Sequence, residues 1–157
     1  MKLSIVTTLY KSSKYVDEFY ERISKEAHKI TNDYEIIFVD DGSPDDSLQK
    51  SVALYEKDLK VKVIELSRNF GHHKAIMTGL SHAKGDFVFL IDSDLEEEPG
   101  FLEIFWEELQ SGEDLDVVYG VQKSRKGGWF EKFSGGLFYK VFNFFSDVKI
   151  PKNFLTI

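Results

Sequence analysis

Four short runs rich in β-branched and aromatic residues, Leu3 to Leu9, Glu35 to Val39, Val61 to Leu66 and Phe87 to Ile91, alternate with segments of helical spacing. This alternation constrains the fold more than any other feature, because strands separated by whole helices are joined by crossovers and line up parallel. The expected class is α/β, a mostly parallel sheet flanked by helices. Between the first two runs, Tyr15, Phe19, Ile23, Ala27 and Ile30 fall three or four residues apart and make one apolar helical face. Ser43-Pro44-Asp45-Asp46 reads as an N-cap, a proline at the first helical position and acids in the first turn, so a second helix is expected to begin there. His73, Ile76, Met77, Leu80 and Ala83 outline a third helix ending near Gly85, and Pro99 opens a fourth through Phe101, Leu102, Phe105 and Leu109. A fifth strand is expected over Asp116 to Val121.

With 157 residues, 42% of them hydrophobic, the chain has apolar material for one compact domain and hardly for two. It contains no cysteine, which excludes a disulfide framework or a thiolate metal site and points to a cytosolic setting. Lys2 to Thr7 is too short an apolar stretch for a signal peptide or a membrane span, and no other segment reaches spanning length. The net charge of −7 argues against nucleic-acid binding. Its distribution is uneven: Val121 to Ile157 holds seven Lys and Arg against two acids, whereas the preceding residues hold thirteen against twenty-five. That tail also carries Trp129, Phe130, Phe133 and Phe138. Such a composition suits peripheral contact with an anionic membrane and equally suits an amphipathic helix packed on its own domain. Lys123 to Gly128 is polar and glycine-bearing, a loop able to close over a ligand.

In an open parallel sheet, ligands bind at the carboxyl ends of the strands, where helix N-termini also point outward. Asp40 and Asp41 terminate the second run, and Asp92 and Asp94 follow the fourth. Carboxylates gathered at strand ends repel one another unless a cation compensates, so the pattern predicts a hard metal with oxygen ligands, Mg2+ or Mn2+. Such ions take one or two protein carboxylates and fill the remaining positions with phosphate oxygens and water, which fits a nucleotide diphosphate as co-ligand. The plainer reading of Asp92-Ser93-Asp94 is a helix cap, and that of Asp41-Gly42-Ser43 is turn chemistry.

Several motifs occur in a fixed order: Ile5-Val6-Thr7-Thr8-Leu9-Tyr10, Glu35 to Asp41 with Gly42-Ser43-Pro44-Asp45, Ser67-Arg68-Asn69-Phe70-Gly71 with Lys74-Ala75 and Gly79, Ala83-Lys84-Gly85-Asp86, and Asp92-Ser93-Asp94-Leu95 with Pro99. In these the chain resembles inverting family-2 glycosyltransferases of the GT-A fold, most of all the polyprenyl-phosphate and dolichyl-phosphate glycosyltransferases. The resemblance implies a Rossmann-like donor-binding half over residues 1–121 and the start of an acceptor and membrane-facing part over 122–157, continued beyond this chain in similar proteins. It implies that Thr8 and Tyr10 border the nucleobase and that Asp40, with Asp41 beside it, accepts hydrogen bonds from base or ribose. Arg68, Asn69 and Lys74 would flank the nucleotide. Asp92 and Ser93 would orient the donor, Asp94 would ligate the metal and Glu96 would assist it. The sequence departs from the family pattern at Thr8, where proline is frequent, at Lys11-Ser12, where Asn-Glu is frequent, and at Glu96-Glu97-Glu98, where Gln-Asp-Pro is usual.

The expected reaction moves a sugar from a nucleotide diphosphate sugar, UDP rather than GDP, to a polyprenyl phosphate in cell-envelope glycan synthesis, at the cytoplasmic face of the membrane; homo-oligomerisation stays open. A lipid phosphate already carries a nucleophilic oxygen at neutral pH, so positioning is the main requirement. Lys123, Arg125, Lys126 and Lys132 are candidates to hold that phosphate, against the plain reading of solubilising charge. A sugar hydroxyl on a glycan is the alternative acceptor and would require a carboxylate base. His72 and His73 read as first-turn helix residues rather than ligands. Among rivals, a pyrophosphorylase or a dehydrogenase would need a glycine-rich loop where Thr7 to Ser13 has no glycine. A magnesium-binding receiver domain, the non-enzymatic rival, would have paired acids ending the first strand, which here ends Thr8-Leu9-Tyr10.

Overall fold

The computed structural model describes residues 1–111 and 115–120. A compact unit, Met1–Asp114, contains every described element. In chain order these are β1 (Leu3–Leu9), α1 (Val16–Ile30), β2 (Tyr34–Asp40), α2 (Ser47–Tyr55), β3 (Val61–Glu65), α3 (His72–His82), β4 (Phe87–Leu90) and α4 (Phe101–Leu109). The four strands form one sheet in the order β3-β2-β1-β4, parallel throughout. Residues 115–120 carry no strand, so the expected fifth strand is absent from the described residues and its last position, Val121, lies outside them. A strand exists through its ladder, and the sheet of described residues ends at β4 on that side.

Side chains alternate across the sheet. Leu3, Ile5 and Leu9 of β1, with Tyr34, Ile36 and Phe38 of β2, face α1 and the buried Leu102 of α4. The expected apolar face of α1 is realised by Val16, Phe19, Ile23 and Ala27, with Phe19 set edge-on to Phe38 at a centroid distance of 6.0 Å. On the opposite face Val6, Ile37 and Val39 pack against Ala75 of α3.

Two helices differ from expectation. The second begins at Ser47, a turn later than the proline suggested. Ser43 is taken up by the turn after β2: its N–H donates to Asp40 Oδ2 at 3.1 Å and its hydroxyl to the Leu9 carbonyl at 3.2 Å, so it cannot cap. Asp45 instead accepts from the backbone N–H of Ser13 and from Ser47, joining the β1–α1 loop to the start of α2. In α3 the face turned to the sheet is centred on Ala75 and Gly79, while Met77 is 64% exposed. A methyl group added at Gly79 would lie 2.4 Å from Val6 Cγ1 and 3.0 Å from Val39 Cγ2. Close approach to the sheet therefore selects small residues there, which a search for large apolar residues passes over.

The amino-terminal edge of the sheet is fastened by one buried acid. Glu35 accepts from Ser4 Oγ at 2.6 Å and from the Lys84 N–H at 2.7 Å, and it pairs with Lys62 and, at 3.2 Å, with Lys2. This ties β1, β2, β3 and the turn into β4 to a single carboxylate. No helix among the described residues is long and apolar enough to cross a membrane.

Burial alone would push the Glu35 carboxyl up, but Lys62, Ser4, the Lys84 N–H and Lys2 outweigh it and bring it down to about 2. A carboxylate held below its unfolded pKa contributes stability that is complete above that pKa and is lost as pH falls through the folded value. The chain should therefore lose stability as pH falls from about 4.5 towards 2. Glu35→Gln should lower stability at pH 7 by about 2 kcal/mol, the order expected for charged hydrogen bonds, and flatten that pH dependence. Denaturant unfolding across the pH range checks both.

Candidate functional site

The order β3-β2-β1-β4 places the topological switch between β1 and β4, since the chain winds outward from β1 in one direction through β2 and β3 and in the other to β4. A cleft of about 190 Å³ opens there, lined by Thr8, Tyr10, Ser12, His72, Asp92, Ser93 and Asp94. The carboxyl end of β1 supplies the first two, the segment after β4 supplies the acids, and the first turn of α3 supplies the histidine.

Local bonding explains why these groups stay together. Ser93 is buried, and its hydroxyl donates to the Thr8 carbonyl at 2.9 Å while lying 3.2 Å from Ser12 Oγ. That contact stitches the segment after β4 to the end of β1 and leaves Asp92 and Asp94 at the cleft on either side. Asp94 Oδ1 accepts the Glu96 N–H at 3.0 Å, an Asx turn, and its Oδ2 has no partner among the described residues. The turn passes through Leu95 with φ of 60°, left-handed backbone that costs a leucine roughly 1 kcal/mol. Packing of the Leu95 side chain against the core offsets that strain.

Asp92 is half-buried. Burial pushes its carboxyl above the usual carboxylate range, His72 pulls it down, and Asp94 and Glu96 push it up again. Glu97, behind it, is raised by burial first and then by the charge of Asp92. These acids thus carry more negative charge than the protein around them neutralises, and a divalent cation is the natural complement. The donor set fits such an ion: oxygen ligands only, with Asp92 and Asp94 both on the cleft and room for phosphate and water to complete six-fold coordination. Among the described residues no three His, Asp or Glu side chains converge as a closed metal cage, so these carboxylates would hold an ion only together with a co-ligand.

The sequence-predicted residues divide into three groups. Thr8, Tyr10, Asp92, Ser93 and Asp94 come together on the cleft. Asp40, Asp41, Arg68, Asn69, Lys74 and Glu96 do not line it. Asp41 is buried, and its two oxygens accept the N–H groups of Phe70 at 2.7 Å and Gly71 at 3.0 Å, so it anchors the loop that leads into α3. Gly42, with φ of 64°, lets that loop close down, since a methyl group there would sit 2.6 Å from the Arg68 carbonyl carbon and the Asn69 nitrogen. Asp40 is buried with Oδ1 unpartnered among the described residues. Arg68 is exposed and lies over the Phe70 ring at 4.3 Å, and Lys74 is exposed on α3. The third group, Lys123, Arg125, Lys126 and Lys132, lies outside the described residues.

From the sequence, His72 reads as a helix residue rather than a ligand. It is a first-turn residue of α3 as expected, yet its ring lies on the cleft, with Nδ1 3.1 Å from Thr8 Oγ1 and Nε2 3.7 Å from Asp92 Oδ1. Ser12, which stands at one of the departures from the family pattern, also lines it. The available signal for His72 was its position directly after Gly71, at the carboxyl end of the sheet.

The family model of glycosyl transferase family 2 matches residues 4–156, and the chain belongs to that family of transferase enzymes. A Mycobacterium tuberculosis protein carrying a provisional glycosyltransferase name is 56% identical over the whole chain, which covers 46% of that relative. The undecaprenyl-phosphate 4-deoxy-4-formamido-L-arabinose transferase of Sodalis glossinidius is 37% identical over 136 residues, 83% of this chain and 40% of the relative. The crystal structure of S. aureus TarS 1-349 in complex with UDP-GlcNAc superposes with a TM-score of 0.50 at 34% identity, covering 60% of this chain and 27% of that one. The fold is accordingly the GT-A arrangement that the motifs implied. The chain spans less than half the length of these curated relatives.

Asp41 gives the test of this architecture. Asp41→Ala leaves two part-buried loop N–H groups without their acceptors, a loss of about 1–3 kcal/mol for the pair. Amide exchange at Phe70 and Gly71 should accelerate at least about tenfold, read by hydrogen-exchange NMR, while the amides of α1 should change far less.

Proposed function

We propose that the cleft binds a nucleotide diphosphate sugar together with a divalent cation, and that the protein transfers the sugar to an acceptor, a polyprenyl phosphate being favoured. The carrying observation is the convergence of Asp92 and Asp94 with the carboxyl end of β1 at the sheet's switch point. Asp94, with one oxygen unpartnered, is the direct metal ligand, and Asp92 orients the donor beside it. When bound, Mn2+ or Mg2+ supplies electrostatic stabilisation of the departing diphosphate without proton transfer. Tyr10, exposed at the end of β1, offers a ring face to the nucleobase.

The TarS structure, at 34% identity, holds UDP-GlcNAc, which supports a uridine donor. The name of the Sodalis relative supports a lipid-phosphate acceptor. Such an acceptor brings its own nucleophilic oxygen, so the chemistry asks for alignment and charge stabilisation rather than a general base. Lys123, Arg125, Lys126 and Lys132 remain our candidates for the acceptor phosphate, and the basic aromatic tail for contact with the membrane surface on its cytoplasmic side.

Titration calorimetry with UDP should show binding that depends on manganese, and Asp94→Ala should abolish that dependence while leaving the melting temperature within about 2 °C, since surface changes are usually worth under about 0.5 kcal/mol. UDP binding that is equal in variant and parent, or indifferent to the metal, would refute the site.

A further inference from the structure

We infer that His72 is a donor-phosphate ligand, its Nε2–H held ready by Thr8 to meet an oxygen of the nucleotide's diphosphate. This deepens the donor-site reading and rests on it. The cleft is lined by the hydroxyls of Thr8, Tyr10, Ser12 and Ser93, the carboxylates of Asp92 and Asp94, and one imidazole. A diphosphate entering between two carboxylates meets repulsion that a single cation offsets only in part, and it needs an N–H donor on its other side. The residues expected to supply positive charge, Arg68 and Lys74, do not line the cleft. Among the described residues, His72 is the only lining side chain able to present an N–H.

That N–H is assigned to Nε2. Thr8 Oγ1 is 3.1 Å from Nδ1. With the hydroxyl donating there, the neutral ring carries its proton on Nε2. Nε2 lies 3.7 Å from Asp92 Oδ1, beyond direct hydrogen bonding but beside the carboxylate where cation and phosphate would gather. The ring is 43% exposed, so it is open to a ligand. As the first residue of α3, it also stands where backbone N–H groups and the helix dipole favour an anion. Thr8 thereby gains a second role, orienting the ring in addition to bordering the nucleobase.

The test measures UDP and uridine binding to the whole chain with manganese, for the parent, His72→Ala, His72→Gln and Thr8→Val, with each variant's melting temperature recorded. His72→Ala should bind UDP about tenfold more weakly, the loss expected for one charge-assisted hydrogen bond. Uridine binding should be unchanged, and His72→Gln, which keeps an N–H donor, should recover most of the affinity. In metal-free protein, ring-nitrogen NMR should find the Nε2–H tautomer in the parent and a mixture in Thr8→Val. UDP affinity within twofold of the parent in His72→Ala, or an equal loss for UDP and uridine, overturns the proposal. If His72→Ala melts early, Thr8→Val decides: an altered tautomer with unchanged UDP affinity overturns it too. A parent that binds no UDP with manganese refutes the donor site itself and this inference with it, whereas a binding parent with an indifferent His72→Ala refutes this inference alone.

Discussion

Parallel pairing of β1 on both of its edges is the constraint on which the rest of the structure depends. Leu3 to Leu9 pairs with Tyr34 to Asp40 on one side, and Leu3 to Val6 pairs with Phe87 to Leu90 on the other. A strand so placed is covered on both faces, which is why Leu3, Ile5, Val6 and Leu9 are apolar and buried regardless of alternation. The same pairing decides where polar chemistry can stand. The ladder to β4 ends at Val6, and beyond it the two segments are joined through the Ser93 side chain rather than by backbone pairing, so Thr8, Tyr10 and Asp92 to Asp94 border the cleft.

Charge explains what the cleft is for. Asp92 is pushed upward by burial and by its acidic neighbours, and Glu97 behind it is pushed upward as well. A protein concerned only with stability would replace or pair such groups, because uncompensated carboxylates at partial burial oppose folding. At the opposite end of the sheet this chain does just that: Glu35 is more deeply buried than Asp92, yet it is fully partnered and its pKa is depressed. The contrast between two ends of one sheet, one neutralised and the other left charged, is the electrostatic ground for the proposal that the second receives a cation and a ligand.

The strands were legible because each is a compact β-rich run, and their ends moved by only a residue. Periodicity also located α1, whose buried face is made of large residues. It misjudged α3 because contact there is made by Ala75 and Gly79, where the informative feature is the absence of bulk. The start of α2 was misjudged because a serine before a proline has two uses, and tertiary contact with Leu9 claimed Ser43 for the turn. In the site, motif order brought out Asp92, Ser93, Asp94, Thr8 and Tyr10. Motif order did not show that Asp40 and Asp41 are both buried, Asp41 being spent on the N–H groups of Phe70 and Gly71. Nor could it bring out His72, whose value depends on the distance from Thr8 across sixty-four positions.

The cleft's parts differ in how firmly they are held, and the difference follows their tasks. Ser93, Ser12 and Asp41 are buried and bonded, so the floor and the loop that delivers α3 are fixed before any ligand arrives. On the cleft, Asp94 Oδ2 and His72 Nε2 have capacity left over, which in the proposed reading makes one an acceptor for a cation and the other a donor for an anion. Their opposite polarity on a rigid base matches a ligand that is itself two-signed, a metal ion bound to a diphosphate. Preorganisation of this kind lowers the ordering cost of binding, because the side chains that meet the ligand are already placed by groups that never touch it.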